Sequence, residues 1–140
     1  MTVQIAATRD IATCRRLRRI VFIEEQGVSE ADELDDLDEV AIHLLATEEG
    51  RPLGTARLLT AGPTGKIGRV CVLPDRRGTG LGAALIRAGI ETFRQGGGIK
   101  KVKLGAQVHA LGFYQKLGFS AVGDVYDDAG IPHRDMELHL

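Results

Sequence analysis

The sequence predicts an α/β protein of the α+β type, with a mixed central sheet of about six to seven strands and helices on both faces. Short strands separated by turns fill residues 40–74, and a strand–helix–strand unit covers residues 66–107. Strands joined by turns pair antiparallel and a helical crossover joins parallel strands, so one sheet would hold both kinds. The 140 residues, 44% of them apolar, suit one domain over residues 1–140.

The first elements are a strand over residues 3–7 and a helix that Asp10 caps, because its carboxylate can accept a first-turn N–H. Apolar residues then recur at helical spacing, and Gly27 is expected to end the helix; they are Ile11, Cys14, Leu17 and Val21. Residues 24–39, the acidic segment, hold nine of the nineteen acids and neither Lys nor Arg. That charge density predicts a loop or short helix.

The next elements are two strands over residues 40–60 that turn at Glu49–Gly50, a loop over residues 61–65, and a strand over residues 66–74. A helix with broad apolar faces starts near residue 81 and ends at the glycines 96–98. A strand over residues 99–107 and a short helix that stops at Gly118 follow it. Two final strands turn within residues 127–130.

Composition excludes several classes of protein. The net charge of −1 argues against a dedicated nucleic-acid binder. No apolar stretch is long enough for a membrane span, and no basic, then apolar, secretory leader is visible. Cys14 and Cys71 alone give neither a disulfide framework nor a zinc site, so a cytoplasmic location is expected. The acidic spacings lack the Gly and terminal Glu of a calcium loop, and no metal is predicted.

Residues 76–83, the glycine loop, carry the strongest functional pattern. They follow a predicted strand and open a helix, where free N–H groups and the helix dipole favour an anion such as pyrophosphate. Arg76 and Arg77 add cationic donors. Gly78, Gly80 and Ala83 also fit a dinucleotide fingerprint, but the next strand does not end in the acid that such a site needs for the ribose.

Two motifs together resemble the GNAT superfamily of N-acetyltransferases. Arg77, Gly80 and Gly82 occupy the fixed positions of [Q/R]-x-x-G-x-[G/A], the acetyl-CoA motif. Downstream, A-L-G-F-Y-Q-K-L-G-F resembles the second signature, A-x-x-x-Y-x-K-x-G-F, with the residues Ala110, Tyr114, Lys116, Gly118 and Phe119 in register. One helix and one strand separate the motifs, as in that family. The resemblance therefore implies the GNAT fold over nearly the whole chain.

The resemblance also implies how acetyl-CoA is bound. The strand before the glycine loop would splay from its neighbour at a bulge, and its amides would hold the pantetheine arm and the thioester carbonyl. An amide aimed at that carbonyl would stabilise the developing oxyanion. Tyr114 matches the general acid that protonates the departing thiolate. The implied cofactor-binding residues are Val70, Cys71, Val72, Arg77, Gly78, Thr79, Gly80, Leu81, Gly82, Ala83, Gln107, Tyr114 and Lys116.

The implied reaction is direct attack of a small-molecule primary amine on acetyl-CoA in a ternary complex. Cys71 lacks a neighbouring His or acid in the sequence, which argues against a thioester on the enzyme. Members of the family often pair, so a homodimer is possible. The alternative function is an acyl-CoA-binding or sensing module that has lost catalysis.

The general base is not evident, because several members carry a Glu on the strand before the glycine loop, where this chain has Arg69. Glu25 and Asp36 lie in the region that forms the substrate wall in this family and are the predicted catalytic carboxylates. The other candidates are Glu33, His43, His109 and His133. His43 is expected in the core, His109 as a helix cap and His133 at the surface.

Arg57 and Arg69 lie on two strands that the sequence makes neighbours, each among small or apolar residues. An arginine in such surroundings needs an anion or a path to solvent. One interpretation is an internal ion pair with the acidic segment. The other is recognition of a carboxylate or phosphate on the substrate.

Overall fold

The computed structural model describes residues 2–140, which form a seven-stranded sheet in the order β1-β2-β3-β4-β5-β7-β6. All neighbouring strands are antiparallel except β4 and β5, which are parallel, so the mixed sheet is confirmed. The strands are β1 (Val3–Thr8), β2 (Ile42–Glu48), β3 (Arg51–Ala61), β4 (Thr64–Val72), β5 (Lys101–Gln107), β6 (Ser120–Asp128) and β7 (Ile131–His139).

The helices are α1 (Ile11–Arg18), α2 (Glu30–Glu33), α3 (Leu81–Gly96) and α4 (Leu111–Lys116). Short 3₁₀ turns cover Asp38–Val40, Pro74–Arg76 and Val108–Ala110. Asp10 caps α1 as predicted, since its side chain accepts from the N–H of Thr13. No helix within residues 2–140 is both long and apolar enough to cross a membrane.

The second half of the predicted first helix is π-helical rather than α-helical, over Arg19–Glu25. The N–H of Gln26 donates to the carbonyl of Val21, five residues back, at 3.1 Å. A π-helix adds a residue to the turn, and such turns are frequent at functional sites. Here the wider turn carries the chain toward Gly27, whose φ of 75° ends the element as expected.

Two turns of the sheet test the sequence prediction. Glu49 and Gly50 both have positive φ, 51° and 80°, which matches the twist of a two-residue hairpin. The loop predicted over residues 61–65 is wrong in extent, because β3 runs to Ala61 and β4 starts at Thr64. Gly62 and Pro63 alone make that turn, and Lys100 donates to the Pro63 carbonyl at 2.8 Å.

Helices cover both faces of the sheet, as the sequence predicts. On one face α3 packs closely, since a Cβ at Gly89 would lie 3.1 Å from both Ile67 and Leu58. On the other face Leu17 and Val21 of the first helical segment bury the side chain of Cys71. The glycine loop therefore leads into a helix on one face, while the acidic segment lies against the opposite face.

Candidate functional site

β4 and β5 pair over three residues only and then separate. Thr64, Gly65 and Lys66 pair with Lys101–Lys103, although β4 continues to Val72 and β5 to Gln107. The pairing of β4 with β3 shifts between Thr55 and Arg57, opposite an extra residue in β4. Arg69 lies in that bulge with φ of 50°, a left-handed conformation that costs a non-glycine residue energy. The bulge turns β4 away from β5 and opens a gap.

The edge of β4 that faces this gap carries free main-chain groups. Leu73 donates to the carbonyl of Leu53 on β3 at 2.9 Å, so its N–H points to the paired edge. Successive N–H groups alternate between the two edges of a strand, which directs those of Val72 and Val70 into the gap. The N–H of Cys71 faces β3. Of the three amides predicted to bind the cofactor, two therefore lie on the free edge.

The glycine loop lies open next to this edge. Gly78 and Gly80 have φ of 77° and 87°, and a Cβ at either would meet nothing within 4 Å. In α3, which follows the loop, the first N–H that donates to a carbonyl is that of Ala84. It donates to the carbonyl of Gly80 at 3.0 Å. The N–H groups of the preceding first turn, from residues 81–83, are those that an α-helix leaves without a helical partner. Together they offer an anion a concave set of donors at the positive end of α3.

Arg77 links the loop to the opposite wall. Its Nε donates to the carbonyl of Val72 at 3.2 Å, and its two terminal nitrogens hold the carboxylate of Glu25. The hydrogen bonds from Arg77 lower the pKa of Glu25. Glu25, predicted as a catalytic carboxylate, is therefore held in an ion pair as an anion. Arg76 points elsewhere, onto Glu48 at 2.6 Å.

Tyr114 lies on α4 and borders the gap from the side of β5. Its ring meets those of Phe113 and Phe119 edge to face, with centroids 5.0 and 6.2 Å away. Burial raises the pKa of Tyr114, so its phenol is protonated at neutral pH. Lys116 is exposed at the end of the same helix. Gln107 ends β5 and donates to the side chain of Gln26 across the gap at 3.2 Å.

The gap widens into a cleft of about 910 Å³ on the face of the acidic segment. Its floor is the exposed face of β4, β5 and β7, and its walls are the acidic segment and the turn that precedes β7. Tyr114, Arg69, Gln107 and His133 line this cleft. The cleft therefore meets the free edge of β4 from the face opposite α3.

The acidic segment is anchored by buried ion pairs. Arg18, almost fully buried, bonds Glu33 at 2.6 Å and Asp38 at 2.9 Å. Arg57 bonds Asp35 at 2.8 Å and Asp38 at 3.1 Å. Burial alone would raise the pKa of Asp38, but hydrogen bonds from Arg18 and Arg15 outweigh it and hold that pKa well below its usual range. These pairs fix the wall of the cleft to the sheet.

The structure separates the two arginines that the sequence treats together. Arg57 is 5% exposed, does not line the cleft, and has the internal ion pairs of the first interpretation. Arg69 lines the cleft, but its Nη2 donates to the carbonyl of Glu33 at 3.1 Å and lies 3.5 Å from Asp35. Burial and the nearby Arg57 lower the pKa of Arg69. Both guanidinium groups are neutralised by the acidic segment.

The candidate bases occupy different surroundings. Asp36 is exposed and does not line the cleft. His43 is buried, as expected, with Nε2 2.8 Å from the carbonyl of Asp38. His109 is exposed and contacts Gln107 at 2.6 Å. His133 lines the cleft and donates from Nδ1 to the carbonyl of Ile131 at 2.7 Å.

Sequence reasoning missed a pair in the centre of the cleft floor. The hydroxyl of Tyr126 donates to Asp135 at 2.7 Å, and Lys103 lies 3.3 Å from the same carboxylate. A Cβ at Gly105 would lie 2.6 Å from the Tyr126 oxygen, so the absence of a side chain there makes room for the tyrosine. No local motif marks these residues, because they meet only through the pairing of β5, β6 and β7.

Comparison with known proteins gives one consistent family. Residues 22–140 match the sequence profile described as "Acetyltransferase (GNAT) domain". YyaT of Bacillus subtilis is 41% identical over 133 residues, which cover 93% of this chain and 89% of that protein.

Solved structures agree with the sequence match. An acyl-CoA N-acyltransferase from Pseudomonas aeruginosa superposes with a TM-score of 0.89 at 30% identity, covering 98% of this chain and 99% of the other. ElaA of Escherichia coli superposes with a TM-score of 0.87 at 29% identity, with the same coverage. The predicted fold is therefore confirmed by structures as well as by sequence.

Proposed function

The chain belongs to the GNAT family of acetyltransferases, and we propose that it transfers an acetyl group from acetyl-CoA to the primary amine of a small molecule. The observation that carries this proposal is the gap between β4 and β5, with a free strand edge and an open glycine loop on one side and a cleft on the other. Two reactants entering from opposite sides would meet at the point where the strands part, which supports direct transfer in a ternary complex.

The residues around the gap suit the cofactor. The loop amides of residues 78–83 would hold the pyrophosphate, and those of Val70 and Val72 would hold the pantetheine arm. The open space at Gly78 and Gly80 supports this assignment, because the main chain there is accessible to a bulky anion. Bound acetyl-CoA would supply the activated acetyl group as a thioester.

Arg77 would join the pyrophosphate site once its pairing with Glu25 is shared or broken. Both side chains of that pair are about two-fifths exposed, so the ion pair contributes little stability and opposes a new anionic partner only weakly. The cofactor assignment of Arg77 therefore remains compatible with the ion pair in the structure.

An acetyl-enzyme intermediate on Cys71 is disfavoured. Burial raises the pKa of its thiol to about 12, so the nucleophilic thiolate is scarce at neutral pH. The side chain packs among Leu17 and Val21 on the far side of the strand from α3. Direct attack by the amine needs no such residue.

Tyr114 would protonate the departing thiolate. Burial raises the pKa of the phenol, so the proton that this step needs is present at neutral pH. The edge-to-face contacts with Phe113 and Phe119 hold the ring in place.

His133 is the best-placed candidate base of the six. The bond from Nδ1 to the Ile131 carbonyl requires the proton on Nδ1, so the neutral ring carries its lone pair on Nε2. Within residues 2–140 that Nε2 makes no hydrogen bond, and the residue lines the cleft. Glu25 and Glu33 are held in ion pairs instead.

Release of free CoA over a panel of primary amines, measured beside a calorimetric titration with acetyl-CoA, tests this function. We expect binding and amine-dependent release. His133→Gln should lower turnover at least about a hundredfold at unchanged acetyl-CoA affinity. The matched control is His139→Gln, on the same strand but exposed, which should change neither. Binding without release on any amine would favour a sensing module.

A further inference from the structure

The floor of the cleft holds one carboxylate at the point where the two strands part. Lys66 and Lys103 form the last residue pair of the parallel ladder. Gly105 lies two residues further along β5, beside the start of the gap, and its partner on β7 is Asp135. Asp135 is thus aligned by the sheet with the second residue of β5 beyond the parallel ladder, at the start of the gap.

Tyr126 fixes this carboxylate. It reaches across from β6, and its hydroxyl donates to Oδ1 of Asp135 at 2.7 Å while Lys103 lies 3.3 Å from Oδ2. A carboxylate has about four acceptor sites, so these two contacts leave room for a further donor. The ring of Tyr126 also stacks on His133, with centroids 6.0 Å apart. Carboxylate and candidate base are therefore neighbours on one face of β7.

The walls of the cleft include Asp32 and Glu33 but also carry apolar side chains. Phe22, Leu37, Val40 and Ile131 all line the cleft. Leu37, near the end of the acidic segment, is 41% exposed, and Val40, directly after the segment, is 76% exposed. Exposed apolar side chains that converge on a cleft favour a ligand that covers them.

The arginines offer little to an anionic acceptor. Arg69 reaches the cleft but is already bonded to the acidic segment through Glu33 and Asp35. An anionic acceptor would have to compete with those contacts for the guanidinium of Arg69. Lys101 and Lys103 also line the cleft, but they pair with Glu137 and Asp135. Lys66, which is exposed, is therefore the cation on the floor that such an acceptor would use.

We propose that the acceptor is a primary amine with an uncharged, apolar body, whose ammonium head binds Asp135 and whose body lies on the wall formed by Phe22, Leu37 and Val40. This inference rests on the proposed function. Tyr126 is the positioning residue, because it orients the carboxylate without touching the acceptor's body. The ammonium then lies beside the Nε2 of His133.

Binding in the presence of saturating CoA tests the proposal without requiring turnover. The probes are phenethylamine, L-phenylalanine and putrescine, which all carry a primary amine. L-phenylalanine adds a carboxylate to the aromatic amine, and putrescine lacks the aromatic body. Wild type should bind phenethylamine most tightly. Asp135→Asn should weaken that binding at least about tenfold, and Tyr126→Phe should weaken it several-fold.

The matched control is Glu137→Gln. Glu137 lies two residues from Asp135 on the same face of β7 and pairs with Lys101 at 3.2 Å, as Asp135 does with Lys103, but it does not line the cleft. It should leave phenethylamine binding unchanged. The melting temperature of each variant identifies loss of folding. If Asp135→Asn does not fold, Tyr126→Phe, which keeps the ring, replaces it as the variant that tests the proposal.

Several outcomes would overturn the proposal. Tighter binding of L-phenylalanine than of phenethylamine would assign the cleft to anionic amines and to Lys66 or Arg69. Equal losses in Asp135→Asn and Glu137→Gln would make the effect one of overall charge. No binding of any probe to a wild type that binds CoA would reject the acceptor class and leave the proposed function standing, whereas failure to bind CoA would reject that function itself.

Discussion

The two sides of the gap between β4 and β5 differ in the groups that form them, which are main-chain groups on one side and side chains on the other. On one side, the cofactor side, we propose that acetyl-CoA binds to main-chain groups, which are the free edge at Val70 and Val72 and the glycine loop. On the other side, the acceptor side, we propose that the amine binds in the cleft. Side chains that hold one another form its floor and anchor its wall, such as Tyr126 with Asp135 and Arg57 with Asp35. A ligand that is the same for every member of a family can be bound by backbone, whereas a particular acceptor requires particular side chains.

This difference also determines which substitutions damage each side. A main-chain site depends on φ angles that glycine adopts freely, so it is damaged mainly by substitutions that add a side chain. A site of paired buried charges is damaged when one partner is lost, because the other is left uncompensated. The four predictions below test this contrast, and they are ordered by expected effect.

Tyr114 is the exception on the cofactor side, since there a side chain is expected to act chemically. Tyr114→Phe keeps the ring and its contacts with Phe113 and Phe119 but removes the proton. Turnover should fall by about 10²–10⁴-fold, the usual contribution of a general acid, while acetyl-CoA affinity stays the same. Steady-state kinetics and calorimetry on one preparation measure both. Near-normal turnover would make Tyr114 a packing residue and move the acid to water or to another group.

Asp38→Asn should produce the largest loss of stability. The amide keeps the shape of the carboxylate but leaves Arg18 and Arg57 buried with less compensation, so we expect a loss of about 3–5 kcal/mol in the free energy of unfolding. Urea unfolding measures it. Asp36→Asn, an exposed carboxylate two residues away, is the matched control and should change stability by under about 0.5 kcal/mol.

The difference in stability between wild type and Asp38→Asn should also depend on pH. The pKa of Asp38 is lowered in the folded protein, so its stabilising contribution is complete above the ordinary aspartate value of about 4 and is lost as pH falls below it. Wild type should therefore approach the stability of Asp38→Asn as the solution is acidified. A constant difference between the two from neutral pH to well below pH 4 would contradict the assignment.

The strand, loop and helix start around the glycine loop could be predicted from the sequence alone, because the information for them is local. A strand, the glycines at residues 78, 80 and 82, and a helix start lie within a dozen residues, and each has a direct physical meaning. The same holds for the hairpin at Glu49–Gly50 and the cap at Asp10. The π-helical turn over Arg19–Glu25 was not predicted, since its apolar spacing over the first two turns is that of an α-helix.

The acceptor side could not be assembled from the sequence, because its contacts are distant along the chain. Arg57 and Asp35 are 22 residues apart. How the acidic segment folds onto the sheet decides which of its nine acids pairs with each arginine. Tyr126 and Asp135 meet only because β6 and β7 pair in one register. Most of the charge of the acidic segment neutralises arginines, and the sequence does not show those pairings.

Gly80→Glu should selectively damage the cofactor side. The loop is open at this position, so the added side chain does not clash with the protein but places a negative charge where the pyrophosphate would bind. Acetyl-CoA affinity should fall at least about tenfold. Because φ at Gly80 is 87°, any substitution is strained, and Gly80→Ala is the control for that strain alone. Equal affinities of the two variants would remove the pyrophosphate from this loop.

Glu25→Gln should have the smallest effect, and it decides whether Glu25, which pairs with Arg77, is the catalytic base. Arg77 lowers the pKa of Glu25, so the carboxylate is a weak base, and both partners are exposed enough that their pair contributes at most about 1 kcal/mol. We expect turnover within about twofold of wild type and acetyl-CoA affinity equal or slightly higher, because Arg77 is freed for the pyrophosphate. A fall in turnover of a hundredfold or more at unchanged affinity would instead make Glu25 the base and reduce His133 to a support for Tyr126.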